Sequence, residues 1–531
     1  MKDGSCDIRI GHVARSTILS IVLLILYGSG GCVSTPRLTA EDRRSDVEFL
    51  AQWARDYHAC VEVNTRIEGM PDYEELLPKY LDLAEQAETN EMFLQVVWGY
   101  FTLIGASGHG YPLNEGHLLG YMLDSLRHDA KGLSDIPWIQ FWDAMYWARL
   151  FFNDQFAHAP FRVICEGENY FTGDDWSSWG KRIPKGSQII AVNGMTCANY
   201  RDYLMRESFL RYVACEGDPI PGQLLVINEG KGFGGWRLSF RLPDGSQCDR
   251  FVPHRKGVRS PDKSRFMNWR KGNCEFVEID DEVGYIRVKA MIGGREKSDQ
   301  KKIRHFLAKS QGRYKKLIVD LRHNGGGSTI YTYEVLLRPF LDESLVYKQT
   351  SGVKRKTLVD LFIVRGSCSQ FAWETTVDEV PPPEGFDSNQ WCFYEISREV
   401  KPSVRYAFNG DIYVLMDQAS CSATETYLDA VKRTGFAKLV GRTSGGAMCG
   451  YAIAPVMRLP ASGMILRMEV DLEINPDGSF NELAGVQPDV KLPSLPLPDR
   501  VTREALLKDP WIQAVINDLN KPIEINSTEY D

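Results

Sequence analysis

The stretch Lys316-Leu-Ile-Val-Asp-Leu-Arg322, followed at once by Asn324-Gly-Gly-Gly327, restricts this chain more than any other segment. Its apolar run is almost unbroken, the pattern of a strand covered on both faces in a buried sheet. Consecutive glycines then allow positive φ and let backbone N–H groups approach a ligand oxygen. The device recurs further along. Asp411-Ile-Tyr-Val-Leu-Met-Asp417 turns through Ala419-Ser-Cys-Ser422 into a helical pattern from Ala423 to about Arg433, with Gly435 where a helix C-terminal glycine belongs. Strand patterns at Val283 to Val288 and Ala437 to Gly441, and helical ones at Lys297 to Ser310 and Ile330 to Leu341, make this half of the chain α/β.

A chain of 531 residues is too long for one core, so several domains are expected. Ala40 to Tyr57, Asp72 to Thr89 and Asn90 to Leu103 carry apolar residues at helical spacing. The last of these runs into Gly105-Ala-Ser-Gly-His109, a small-residue turn that presents a single histidine. From about 135 to 270 short β runs alternate with turns. The clearest is Ile183 to Gly194, a strand ending in Asn-Gly and followed by a helix-like stretch from Ala198 to Arg206. Residues 342–408 read as a long irregular insertion containing Pro381-Pro-Pro383. Phe362, Phe371, Trp373, Trp391 and Phe393 make it too aromatic for a solvated linker, so a structured cover is expected.

The net charge of −8, with no basic run, argues against a nucleic-acid partner. At the front, Thr17 to Tyr27 is an apolar run shorter than a comfortable membrane span, ending in Gly28-Ser-Gly-Gly-Cys32. That is the layout of a secretory signal, and the cysteine after small residues resembles a bacterial lipoprotein signal. Export is therefore expected, to the periplasm or cell surface, with membrane attachment only through a signal or lipid anchor at Cys32. The 12 cysteines include no CxxC pair, which sets aside zinc-ribbon and thioredoxin-like sites.

Two features can carry chemistry. Ser422, where a strand hands over to a helix, would expose its hydroxyl beside the Ala423 N–H and the positive helix end. Nucleophilic serines need that arrangement, together with backbone donors for the developing oxyanion; the glycine corner could supply them. Each feature has a plainer reading. Serine at a helix start is often only a cap, Asn-Gly-Gly-Gly is often only a turn, and His109 alone would be a surface or capping histidine.

Assembled, the motifs resemble the C-terminal-processing and tricorn-type serine peptidases. The resemblance lies in Gly284-Tyr-Ile-Arg-Val288, Leu317 to Gly327, Ala419-Ser-Cys-Ser-Ala-Thr-Glu425, Leu439-Val-Gly-Arg-Thr-Ser-Gly-Gly446 and Glu482-Leu-Ala-Gly-Val-Gln-Pro-Asp489. Ile183 to Gly194 is similar to a piece of the family's PDZ-like domain. The processing branch places a catalytic lysine in Thr-Phe-Gly-Lys-Gly, where this chain has Thr443-Ser-Gly-Gly-Ala447. The tricorn-like branch, with Arg-Thr-x-Gly-Gly, is matched by Arg442 to Gly446.

That resemblance implies Ser422 as nucleophile, His109 as general base, Glu482 as its orienting carboxylate, directly or through Ser107, and oxyanion donors from Ala423 and Gly326 or Gly325. Tricorn has serine immediately before its histidine, whereas here Gly108 intervenes. Cys421 adjoins Ser422, but the matched position is the serine. The implied reaction is hydrolysis of a peptide or protein substrate through an acyl-enzyme, with no metal and no organic cofactor. The implied layout is an α/β multidomain chain: a signal segment over 1–32, a helical region over 33–134, a PDZ-like β domain over 135–270, a crotonase-like peptidase core over 271–500 with the 342–408 insertion, and a tail over 501–531. The competing readings are a catalytically inactive peptide-binding protein on the same fold and an esterase using the same groups.

Overall fold

The computed structural model describes residues 35–64, 72–104, 110–113, 118, 143–148, 150, 157–161, 163–166, 169–178, 180–200, 226–227, 235–253, 255–256, 272–310, 312–357, 375–403, 408–448, 456–493 and 501–517. Several expectations fall outside them: the leader 1–32, Ser107 and His109, the stretch from residue 201 to Arg206, and Phe362, Phe371 and Trp373. Among the described residues no helix is long and apolar enough to cross a membrane.

The two corner-forming strands lie side by side at the middle of one sheet. Its order is Cys274–Glu278, Val283–Val288, Lys316–Asp320, Asp411–Met416, Lys438–Gly441, Val490–Lys491. The first pair is antiparallel and all the others are parallel. Alternation along each strand feeds two cores. Leu317, Val319, Ile412, Val414 and Met416 pack with the helices Glu296–Lys309 and Ala423–Thr434. Ile318, Tyr413 and Leu415 face the other way, onto Leu506, Trp511, Ile512 and Val515 of the C-terminal helices. Covered on both faces, these strands could afford the apolar runs that made them legible.

The helix expected from Ile330 to Leu341 is irregular. A short α turn, Thr329–Tyr331, passes into a π-helical stretch, Thr332–Leu337. Thr332 Oγ1 donates to the Ala423 carbonyl at 3.0 Å, tying this element to the start of the Ser422 helix.

Within 342–408 the structure differs from the irregular reading. Leu345–Lys354, Thr375–Val380 and Trp391–Val400 form an antiparallel sheet, joined by Asp471–Ile474. Trp391 and Phe393 sit in its core with Phe386 and Phe480. The strands hid because they bury polar groups: Gln349, Ser351, Lys354 and Arg398 are all interior.

A separate antiparallel sheet runs through Val163–Glu166, Asn169–Thr172, Gln188–Val192, Gly235–Arg241 and Gln247–Pro253, around its own core of Phe161, Tyr170, Trp236 and Phe240. The helices Ala40–Tyr57, Tyr73–Gln86 and Asn90–Ile104 form where the spacing put them. Their core is completed by Met457, Leu459, Met464, Leu466, Met468 and Val470 from far along the chain. Strand Tyr111–Pro112 pairs antiparallel with Ile465–Arg467 at this junction.

Candidate active site

Ser422 ends the turn out of strand Asp411–Met416 with φ 62° and ψ −124°, a left-handed φ that serine rarely adopts. Its side chain does not cap the helix it begins. The capping reading therefore fails, and strain of this kind collects at functional positions. The turn is held by Asp417, whose Oδ1 accepts the His323 N–H at 2.9 Å and the Ala419 N–H at 3.1 Å. Ser420 Oγ donates to the Leu321 carbonyl at 2.8 Å, and the Cys421 N–H donates to the Asn324 carbonyl at 3.2 Å. These bonds knit the two corners into one unit.

The glycine corner is pressed against the serine. A Cβ built on Gly326 would lie 2.6 Å from the Cys421 oxygen, 2.7 Å from the Ala423 nitrogen and 2.8 Å from Ser422 Cβ. Gly326 has φ 86° and Gly327 φ 136°. The sequence reading placed the second oxyanion donor first on Gly326. Here that N–H donates to Asn324 Oδ1 at 3.0 Å, while Asn324 Nδ2 is anchored on the Val288 carbonyl. Among the described residues no acceptor meets the N–H of Ala423 or of Gly325. Those two are the uncommitted donors flanking Ser422.

Behind the Ser422 corner runs the Arg442 to Gly446 segment. The Ser422 N–H donates to the Gly446 carbonyl at 3.2 Å, and the Gly446 N–H returns to Glu425 Oε1 at 2.9 Å. Glu425 Oε2 accepts Asn481 Nδ2 at 3.1 Å, and Asn481 Oδ1 accepts the Met448 N–H. Glu482, next in the chain, is buried. A Cβ on Gly446 would lie 2.7 Å from the Asn481 oxygen and 3.5 Å from the Glu482 oxygen, so the serine and acid segments meet across this glycine.

His109 and Ser107 are not described, but the residue after them is. Gly110 is buried, and a Cβ there would stand 3.0 Å from Phe101 Cε1 and 3.1 Å from Glu469 Oε2. The Leu113 N–H donates to the Ile465 carbonyl. His58 is fully buried, its Nδ1 2.6 Å from the Glu469 carbonyl oxygen, and burial pushes its pKa down to about 4. His323 lies nearer the chemistry, with φ 60° and its Nε2 3.1 Å from Asp417 Oδ2. The Cys421 thiol is directed at the Gly325 carbonyl, 3.7 Å away. Among the described residues no group of three or more acidic, histidine or cysteine side chains could hold a metal ion.

Residues 282–492, which contain both corners and Glu482, match the model of peptidase family S41. That segment is an S41 peptidase domain, and the chain is a serine-type peptidase. Mature CPAF is similar in fold: TM-score 0.58 and 14% identity, covering 91% of this chain and 99% of that one. The cpaf s499a mutant gives 0.56 at the same identity and coverage. Mature CPAF complexed with lactacystin gives 0.54 at 14% identity, covering 86% and 94%. At that identity the likeness speaks for the fold alone. No curated protein matches the chain.

Sequence reasoning about this peptidase passed over Glu425, Asp417 and Asn324. Glu425 carried the one available signal, an acid three residues after the serine, hence near it on the helix. Burial pushes its pKa up to about 8, against the hydrogen bonds from Ser444, Asn481 and the Gly446 N–H, which lower it. A raised carboxylate stabilises the fold fully below the unfolded value near 4.5 and loses that contribution as pH climbs through about 8. Buried Glu473 is shifted in the same direction. The thermal midpoint is expected to fall between pH 6 and pH 9, and the fall should be shallower in Glu425→Gln; equal slopes for both proteins would remove Glu425 as the cause.

Proposed function

We propose that this peptidase is exported and cleaves peptide bonds through an acyl-enzyme on Ser422, with His109 as general base. The neutral His109 imidazole takes the Ser422 proton as Oγ attacks the scissile carbonyl carbon. The Ala423 N–H and a glycine-corner N–H, that of Gly325 or of Gly326 once Asn324 releases it, bind the tetrahedral oxyanion. His109 then protonates the leaving amine, and water it activates hydrolyses the ester. Glu482, directly or through Ser107, orients the imidazole. The antiparallel sheet within 135–270 is read as the PDZ-like domain that receives substrate, with residues 1–32 as the export signal and Cys32 as the lipidation point.

One observation carries the reading: Ser422 holds a left-handed backbone at an uncapped helix start, against the Gly326 backbone. A fluorophosphonate tests it. The Ser422 oxygen displaces fluoride from phosphorus, so the labelled peptide found by mass spectrometry should carry the adduct on Ser422, and His109→Ala should slow labelling strongly. An adduct on Cys421 or elsewhere, or labelling indifferent to His109, would overturn the assignment.

A further inference from the structure

Residues 501–517 lie beyond the segment matched by the S41 model, yet they reach the base of both catalytic corners. Arg322, three residues before Gly325, is 2% exposed. Its Nη2 donates to Asp320 Oδ2 and to Asp509 Oδ2, both at 2.7 Å, and its guanidinium lies 5.1 Å from the centre of the Trp511 ring. Tyr285 OH completes the buried group by donating to Asp320 Oδ2 at 2.7 Å. Asp509 also caps the last helix, Pro510–Ile516, by accepting the Trp511 N–H.

The same tryptophan touches the other corner's support. Strand Lys438–Gly441 ends at Gly441, which has φ 130°, and a Cβ there would lie 2.5 Å from Trp511 Cζ3 and 2.9 Å from Cη2. Past Gly441 the chain runs straight to Gly446, whose carbonyl receives the Ser422 N–H. Trp511 is itself fixed by Nε1 donating to the Pro493 carbonyl at 2.9 Å. One buried side chain thus rests on the roots of the glycine corner and of the Gly446 segment. Both loops touch the Ser422 turn: Gly326 packs on Ser422 Cβ, and the Gly446 carbonyl accepts the Ser422 N–H.

We propose that Asp509 and Trp511 are positioning residues for peptide hydrolysis: the C-terminal helix clamps the Arg322 and Gly441 strand ends and so fixes the spacing between Ser422 and its oxyanion donors. This rests on the reading of Ser422 as nucleophile. A buried guanidinium deprived of one carboxylate shifts to recover a partner, and its strand end moves with it. Displacements of about an ångström at a reacting centre cost as much as a hundredfold in rate. Asp509 and Trp511 are themselves buried and so make no contact with substrate, and the loss falls on kcat.

The test uses the full chain. Asp509→Asn keeps the helix cap but removes the charge; Trp511→Phe keeps an aromatic ring but lacks the benzo edge that meets Gly441. Each is expected to lower kcat on unfolded casein by about tenfold or more, with KM within about threefold of the parent. The fluorophosphonate rate should fall in step, and Asp509→Glu should restore most of the kcat. All assays run well below the thermal midpoint of each variant. A lowered midpoint with unchanged kcat means a merely structural role and overturns the proposal; if Asp509→Asn does not fold, the kcat of Trp511→Phe decides alone. Ser422→Ala separates the two ideas. Turnover that survives it removes the nucleophile assignment, whereas turnover lost in Ser422→Ala but intact in both clamp variants removes only the clamp.

Discussion

Ser422→Ala is expected to lower peptide turnover by about four to six orders of magnitude, the loss typical of removing a serine nucleophile from its assembled machinery. The fold should persist, since the side chain makes no capping bond to its helix and the Ser422 backbone bonds to Gly446 and Thr426 do not involve the hydroxyl. Alanine also inherits the serine's backbone strain, because φ 62° crowds any Cβ. Glycine does not. Ser422→Gly should therefore be as inactive as Ser422→Ala yet more stable by about 1 kcal/mol in chemical denaturation. That pairing of lost activity with gained stability marks a residue held in place for chemistry. Turnover within tenfold of the parent in either variant would contradict the assignment, and a Ser422→Gly protein less stable than Ser422→Ala would contradict the strain argument.

Both corners were legible because their strands are buried on both faces. Leu317, Ile318 and Val319, and Ile412, Tyr413 and Val414, had to be apolar in succession, and what breaks such a run stands out: three glycines in one case, Ser-Cys-Ser in the other. Gly435 was legible for a comparable reason, as the left-handed end of the Ser422 helix at φ 67°. The sheet of Leu345–Lys354 and its neighbours was not. Its interior holds Gln349, paired with Asp429 at 2.9 Å and with Arg398 at 2.9 Å, and a polar interior leaves no apolar alternation to read. Asp471–Ile474 was missed likewise, with Asp471 and Glu473 buried in it. Glu425 shows the limit most plainly. A glutamate on a helix reads as a solvated residue, and only the fold reveals that Gly446 and Asn481 close over it. Nor could spacing disclose that Met457 to Val470 completes the core of helices near the other end of the chain.

Gly326→Ala tests the packing of the corners rather than any functional group. Alanine keeps the N–H, so no hydrogen-bond donor is lost. Its methyl, however, would meet the Cys421 oxygen, the Ala423 nitrogen and Ser422 Cβ at 2.6, 2.7 and 2.8 Å. Two of these are backbone atoms and the third is the first atom of a short side chain, so none can swing aside. The glycine corner and the Ser422 turn must separate, and the backbone must also accept φ 86° with a Cβ present. Turnover is expected to fall at least about a hundredfold, the scale set by losing one oxyanion donor or misplacing a reacting group. Stability should drop by about 1–3 kcal/mol from the overpacking. Gly435→Ala is the matched control. It also carries positive φ, at 67°, but has nothing within 4 Å of the added Cβ and sits at the far end of the same helix. It should cost about 1 kcal/mol of stability and leave kcat unchanged. If the two substitutions lowered kcat alike, backbone strain transmitted through the helix would explain both, and the close approach of Gly326 to Ser422 would lose its catalytic meaning. A loss confined to Gly326→Ala ties activity to the separation of the two corners.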